Sequence, residues 1–229
     1  MRRPSKAAIF DAVTTWDAAS VEALLAASPS LVNAVDSKGR TPLHRACAVK
    51  PDASGLSESS GIETVTLLLN AGADLERAAP MEEDEGDFRA TPLWFAVARG
   101  ENLPLAQFLL ARGADASTSL WAAVWRDDDE MCVELLRSKP RLNLRAHGET
   151  PIFYAARLKR LRTLDLLIEA GADPTVADDR GRDAVDIARA RRLPSDVVER
   201  LADSRRRERP SGARDPFRIV KLRWSGRRI

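Results

Sequence analysis

Apolar residues in this chain arrive in short clusters separated by polar turns. Three clusters are nearly alike: Leu67-Leu68-Leu69, Phe108-Leu109-Leu110 and Leu166-Leu167-Ile168. Each is followed three residues later by Gly72, Gly113 or Gly171, and glycine ends a helix at little cost because it enters the left-handed region freely. Three other segments open alike: Thr41-Pro42-Leu43-His44, Thr91-Pro92-Leu93-Trp94 and Thr150-Pro151-Ile152-Phe153. A Thr hydroxyl caps free amides and Pro suits the first helical turn, so each predicts a helix start. The repeating unit is thus a helix opened by Thr-Pro, a turn, and a second helix that carries the apolar cluster. A pair of short helices cannot bury its own apolar face, so the units must stack on one another.

These segments resemble ankyrin repeats: the first set matches the end of the second helix, the second set the T-P-L-H start of the first. The resemblance covers roughly residues 6–203 and implies an all-α solenoid of about six helix-turn-helix units with hairpin finger loops. The units fall near 6–37, 38–76, 89–116, 117–146, 147–175 and 176–203, and the first carries Val21, Leu24 and Leu25 in its second helix. Starts at Thr118, Thr150 and Asp183 are spaced by 32 and 33 residues, the ankyrin period.

Departures from the pattern shape the surface. Insertions occupy 50–61, which is Ser/Gly-rich and lengthens an interhelical turn, and 77–88, which enlarges one finger. The enlarged finger carries Glu82, Glu83, Asp84, Glu85 and Asp87, either as a solvated loop or as a handle for a basic partner. Between Gly113 and Thr118 the finger is nearly deleted. Pro29 and Pro140 close the first and fourth units in place of Gly-Ala-Asp.

Leu and Ala dominate an apolar fraction of 44%, and only 5% of residues are aromatic, which favours helices over strands. The net charge of +2 conceals an asymmetry: residues 204–229 carry nine Arg and one Lys against Glu208 and Asp215, leaving an acidic body. That basic segment reads as a linker followed by a strand or cap, with Val220, Leu222 and Trp224 on one face. Capping or docking comes first among its roles, then a protein partner, then nucleic acid, since it lacks the motifs of dedicated nucleic-acid binders. Cys47 and Cys132 form no paired motif, and no apolar run approaches a membrane span, so a reducing, cytoplasmic setting is expected.

No catalytic or metal-ligating constellation is present. His44 and His147 lack Cys or His partners at ligand spacing, and there is no phosphate loop or nucleophile elbow. The run Asp127-Asp128-Asp129-Glu130 precedes a second helix, where negative charge complements the dipole. No enzyme activity, cofactor or small-molecule substrate is expected.

The aromatic residues give the sharpest pointer to function. Trp94 and Phe95, Trp121 and Trp125, and Phe153 and Tyr154 fall on the first helices of three successive units. Trp94, Trp121 and Phe153 hold the slot of His44, and Arg99, Arg126 and Arg157 lie nearby. Two explanations stand: rings stacked between units, or an interface rich in Trp, Tyr and Arg. Packing suits the slot residues, and binding suits Trp125, Tyr154, Arg126 and Arg157. The resemblance implies a protein-interaction module, an adaptor or inhibitor, that grips a protein partner through its concave face and finger loops. The alternatives are a nucleic-acid-associated protein recruited by residues 204–229, or an immunity protein that neutralises a toxin.

Overall fold

A computed structural model describes residues 3–51, 56–80 and 90–208. Its described residues form six helix pairs: α1 (Lys6–Thr14) with α2 (Ala18–Ala27), α3 (Pro42–Cys47) with α4 (Glu58–Asn70), α5 (Pro92–Phe95) with α6 (Leu103–Ala111), α7 (Ser119–Arg126) with α8 (Asp129–Arg137), α9 (Pro151–Leu158) with α10 (Leu161–Glu169), and α11 (Ala184–Ala190) with α12 (Ser195–Glu208). First helices pack on first helices of the next unit, and second on second, giving two parallel rows. Leu43, Leu68, Leu93, Leu109, Leu120, Leu135, Ile152 and Leu164 are fully buried between them. This is the all-α solenoid that the apolar clusters predict.

The local signals act as the chemistry requires. Thr91 and Thr150 sit in extended backbone and their hydroxyls accept the amides of Trp94 and Phe153, each at 3.4 Å. Gly72, Gly113 and Gly171 end their helices at φ +92°, +91° and +85°. Asp183 opens the last unit by a reciprocal cap with Asp186 (2.9 and 3.2 Å). Two fingers are closed by one device, in which Asp36 and Asp178 accept from the backbone N–H and Nε of Arg40 and Arg182, four residues on.

Several boundaries differ from the sequence reading. Thr118 is not a cap: its backbone is already helical and its hydroxyl makes no capping bond. The finger is missing there, and Asp115 turns the chain instead by accepting from both N–H and hydroxyl of Ser117. Within the 50–61 insertion, Ser57 caps α4 and helix begins at Glu58. A Cβ at Gly61 would lie 2.8 Å from the Trp16 ring, so glycine is what lets this extra turn approach. The last helix runs on to Glu208, past the linker boundary expected at 204. The 82–87 finger and residues 209–229 lie outside the described residues.

The first helix of the third unit carries one residue too many. Thr118 to Asp127, Thr150 to Lys159 and Asp183 to Arg192 each span nine positions, whereas Thr91 to Glu101 spans ten. A π-helical turn over Ala96–Gly100 absorbs the surplus, and Asn102 N–H reaches the Ala96 carbonyl at 3.2 Å.

Candidate functional site

The slot three residues after each helix start is a sealed seam. His44 is fully buried. Its Nδ1 faces the Thr41 N–H at 3.1 Å and therefore accepts, which places the ring proton on Nε2, donating to the Arg77 carbonyl at 2.8 Å. Burial holds the imidazole below its ordinary pKa, so the ring stays neutral. Trp94, Trp121 and Phe153 are buried in the equivalent places.

Of the two explanations, the burial of Trp94, Trp121 and Phe153 favours packing over an open aromatic face, and Phe95 is buried with them. Phe95 is only 3% exposed and stands edge-on to His44 (5.4 Å) and to Trp94 (5.1 Å). Helices pack about 8–10 Å apart, and large rings fill the space that small side chains would leave empty. Phe95 reaches the preceding unit through His44, and Trp121 the following one through Tyr154, so these two rings pack between units.

Other residues of the proposed face remain accessible. Trp125, one residue from the end of α7, is 47% exposed. Tyr154 is half-buried, its ring 5.1 Å from Trp121, with the Arg157 guanidinium 4.8 Å above it. Burial pushes the Tyr154 hydroxyl pKa up, so it remains a donor. Glu149 accepts from Arg157 Nε at 2.9 Å and fixes that guanidinium over the ring. Arg99 is exposed, 6.0 Å over the Trp94 ring. Arg126 is engaged elsewhere, with its Nη2 2.5 Å from the Glu101 carboxylate, which also holds Lys50 Nζ at 2.6 Å.

Sequence reasoning missed a series of residues at the turn between the two helices in five of the six units. Trp16, Glu101, Asp127, Lys159 and Arg192 all adopt positive φ there, between 47° and 61°. The signal was readable in part, because Asp17, Asn102 and Asp128 follow three of them as side-chain helix caps. Leu161, 38% exposed beside this edge, was missed as well.

Nucleophilic chemistry has no support at the thiols. Burial pushes Cys132 up to about 12 and Cys47 higher still, so neither supplies a thiolate. Among the described residues, no group of three or more His, Cys, Asp or Glu is arranged to hold a metal ion. Among the same residues, no helix is long and apolar enough to cross a membrane.

Helix pairs stacked in two rows define a repeat scaffold of the kind that serves protein–protein interaction. A family model of ankyrin repeats in three copies matches residues 56–178. The chain belongs to the ankyrin-repeat family. An ankyrin repeat domain from Acinetobacter baumannii has the same fold (TM-score 0.67, 23% identity, covering 87% of this chain and 98% of that one). A chain from the complex of a Bdellovibrio bacteriovorus predatory endopeptidase with an immunity protein is also similar (TM-score 0.63, 26% identity, covering 88% of this chain and 99% of that one). The transient receptor potential channel pyrexia of Drosophila melanogaster is 34% identical over 92 residues, 37% of this chain. This chain spans 10% of the length of that curated relative.

Proposed function

We propose that the chain is an adaptor or inhibitor that grips one protein partner along its first-helix row, around Trp125, Tyr154, Arg99 and Arg157. The observation that carries this reading is the exposure of Trp125. A large aromatic costs free energy to leave in water, and Trp, Tyr and Arg are the residues that most often dominate interface energy. Here one Trp, one half-buried Tyr and two Arg lie on consecutive units whose neighbouring rings are already packed. Arg126 serves the face indirectly by fixing the end of α7. The acidic finger Glu82, Glu83, Asp84, Glu85 and Asp87 flanks this region in sequence and is a second element of the proposal.

A narrower form of the reading is an immunity protein that neutralises a partner enzyme. Its support is the likeness, along nearly the whole chain, to a chain of the endopeptidase–immunity protein complex. One experiment serves both forms. Affinity capture from native lysate with the intact chain should recover one defined protein. A Trp125→Ala, Tyr154→Ala variant should lose it, since each hot-spot side chain contributes about 2 kcal/mol or more. Full retention by that variant removes the proposed face.

A further inference from the structure

In the last four units the turn between the two helices places one left-handed residue at an equivalent position: Glu101, Asp127, Lys159 and Arg192. The sign of charge therefore reverses halfway along this edge. In the third and fourth units the acids are neutralised, Glu101 by Lys50 and Arg126, Asp127 by Arg160 at 3.2 Å. At the equivalent positions of the fifth and sixth units, Lys159 and Arg192 have no such counter-charge among the described residues. Lys159, Arg162, Arg189 and Arg192 are exposed, and none is ion-paired among the described residues. Asp196, the acid nearest in sequence to Arg192, lies 3.7 Å from Arg200, which is bound more closely to Asp165 at 2.8 Å.

Local stability does not account for this arrangement. Lys159, Arg160 and Arg162 crowd the start of α10, which has no side-chain cap and no acid in its first turn. Cations there oppose the helix dipole. The equivalent start of α8 does the opposite: Asp128 caps it, and Asp129 and Glu130 follow. The basic edge also adjoins Trp125 and Leu161, the two large hydrophobic residues left exposed among those described. They lie on neighbouring turns, joined where Arg160 Nη2 donates to the Trp125 carbonyl at 3.1 Å.

We infer that the turn edge of the fifth and sixth units docks an acidic segment of a protein partner, with Trp125 and Leu161 receiving its apolar side chains. This rests on the protein-binding reading and adds the partner's chemistry. Carboxylates spaced along an extended segment match cations that recur once per unit, and a mixed apolar and basic surface favours a protein over a uniformly charged polyanion. Charge complementarity of this kind sets register and association rate.

The test uses the full chain and a synthetic Glu-rich peptide that contains one Phe, one Leu and a photo-cross-linker. Lys159→Gly with Arg192→Gly removes two charges and suits the left-handed backbone, so the variant should stay folded, as thermal unfolding will verify. Peptide affinity should fall at least about tenfold in that variant and in Trp125→Ala, and should weaken with added salt. Adducts should map to the turns containing Trp125, Leu161 and Arg192. Absence of binding, unchanged affinity in either variant, or adducts confined to residues 209–229 would overturn the inference. So would a labelled single-stranded oligonucleotide that binds more tightly than the peptide and is lost in the same variants. If the peptide is ignored while the Trp125 and Tyr154 pair still governs capture from lysate, the acidic chemistry falls and the scaffold reading stands.

Discussion

The Glu101 carboxylate is shared between two cations from neighbouring units, with Arg126 Nη2 at 2.5 Å and Lys50 Nζ at 2.6 Å. Three successive units are thereby tied through one side chain, held in reach by a left-handed backbone at φ +48°. The hydrogen bond from Lys50, with Arg126 beside it, holds the carboxyl below the ordinary Glu pKa of 4.5. A depressed carboxylate contributes stability above its unfolded pKa and loses it as pH falls through the native value. Glu101→Gln should therefore destabilise the fold by about 1 kcal/mol at neutral pH, a modest figure because the group is partly exposed. The difference between variant and parent should vanish in acid, and urea midpoints measured across this range would show it.

His44 makes a second acid-sensitive contact. The neutral ring serves as acceptor to Thr41 N–H and donor to Arg77 carbonyl, and its native pKa lies below 6.5. The unfolded state therefore takes up the proton first as pH falls below about 6.5, and stability is lost between that value and the lowered native one. His44→Ala should cost about 2–3 kcal/mol at neutral pH through a cavity and orphaned polar groups. It should also flatten the pH dependence of the unfolding midpoint near pH 6.

Gly100 ends the π-helical turn against the preceding unit. A Cβ there would stand 2.5 Å from the Cys47 carbonyl oxygen and 3.2 Å from that of Val49, both backbone atoms that cannot swing away. Gly100→Ala should destabilise the chain by about 1–3 kcal/mol, an overpacking cost. Gly72→Ala meets nothing within 4 Å and suffers only the strain of its φ of +92°. Thermal unfolding of the two variants would separate contact from conformation.

Cys47 and Cys132 are both fully buried and free of disulfides. Burial disfavours the thiolate in each, so a thiol reagent at neutral pH should modify neither in the native state. Both should react at once in denaturant. Rapid labelling of one thiol under native conditions would mean that its unit opens independently.

The features legible in the sequence are those fixed by a few adjacent residues. Thr-Pro at residues 91–92 and 150–151 announces a helix start because cap and first turn are local chemistry, and Gly171 announces an end for the same reason. The Leu clusters revealed the buried row because burial repeats with the unit. Thr118 misled, because the cap depends on a finger loop that its unit lacks. Phe95 was less legible still: whether a ring on a first helix faces a partner or a neighbouring unit depends on spacing between helices, which no local motif encodes. The left-handed Glu101 and the surplus residue behind it stand out only against the equivalent turns of the other units in space. The basic edge at Lys159 and Arg192 escaped because pairing, not composition, distinguishes it from the neutralised edge at Glu101 and Asp127.

One edge of the stacked helical scaffold, marked by Trp125, is expected to meet a protein partner. The most direct test places a photo-cross-linking amino acid at position 125, and separately at Arg137 on the second-helix row, in cells that make this protein. Irradiation should give one discrete protein adduct from position 125 and none from position 137. Equal labelling from both positions, or none from position 125, would mean that this edge is not the binding face.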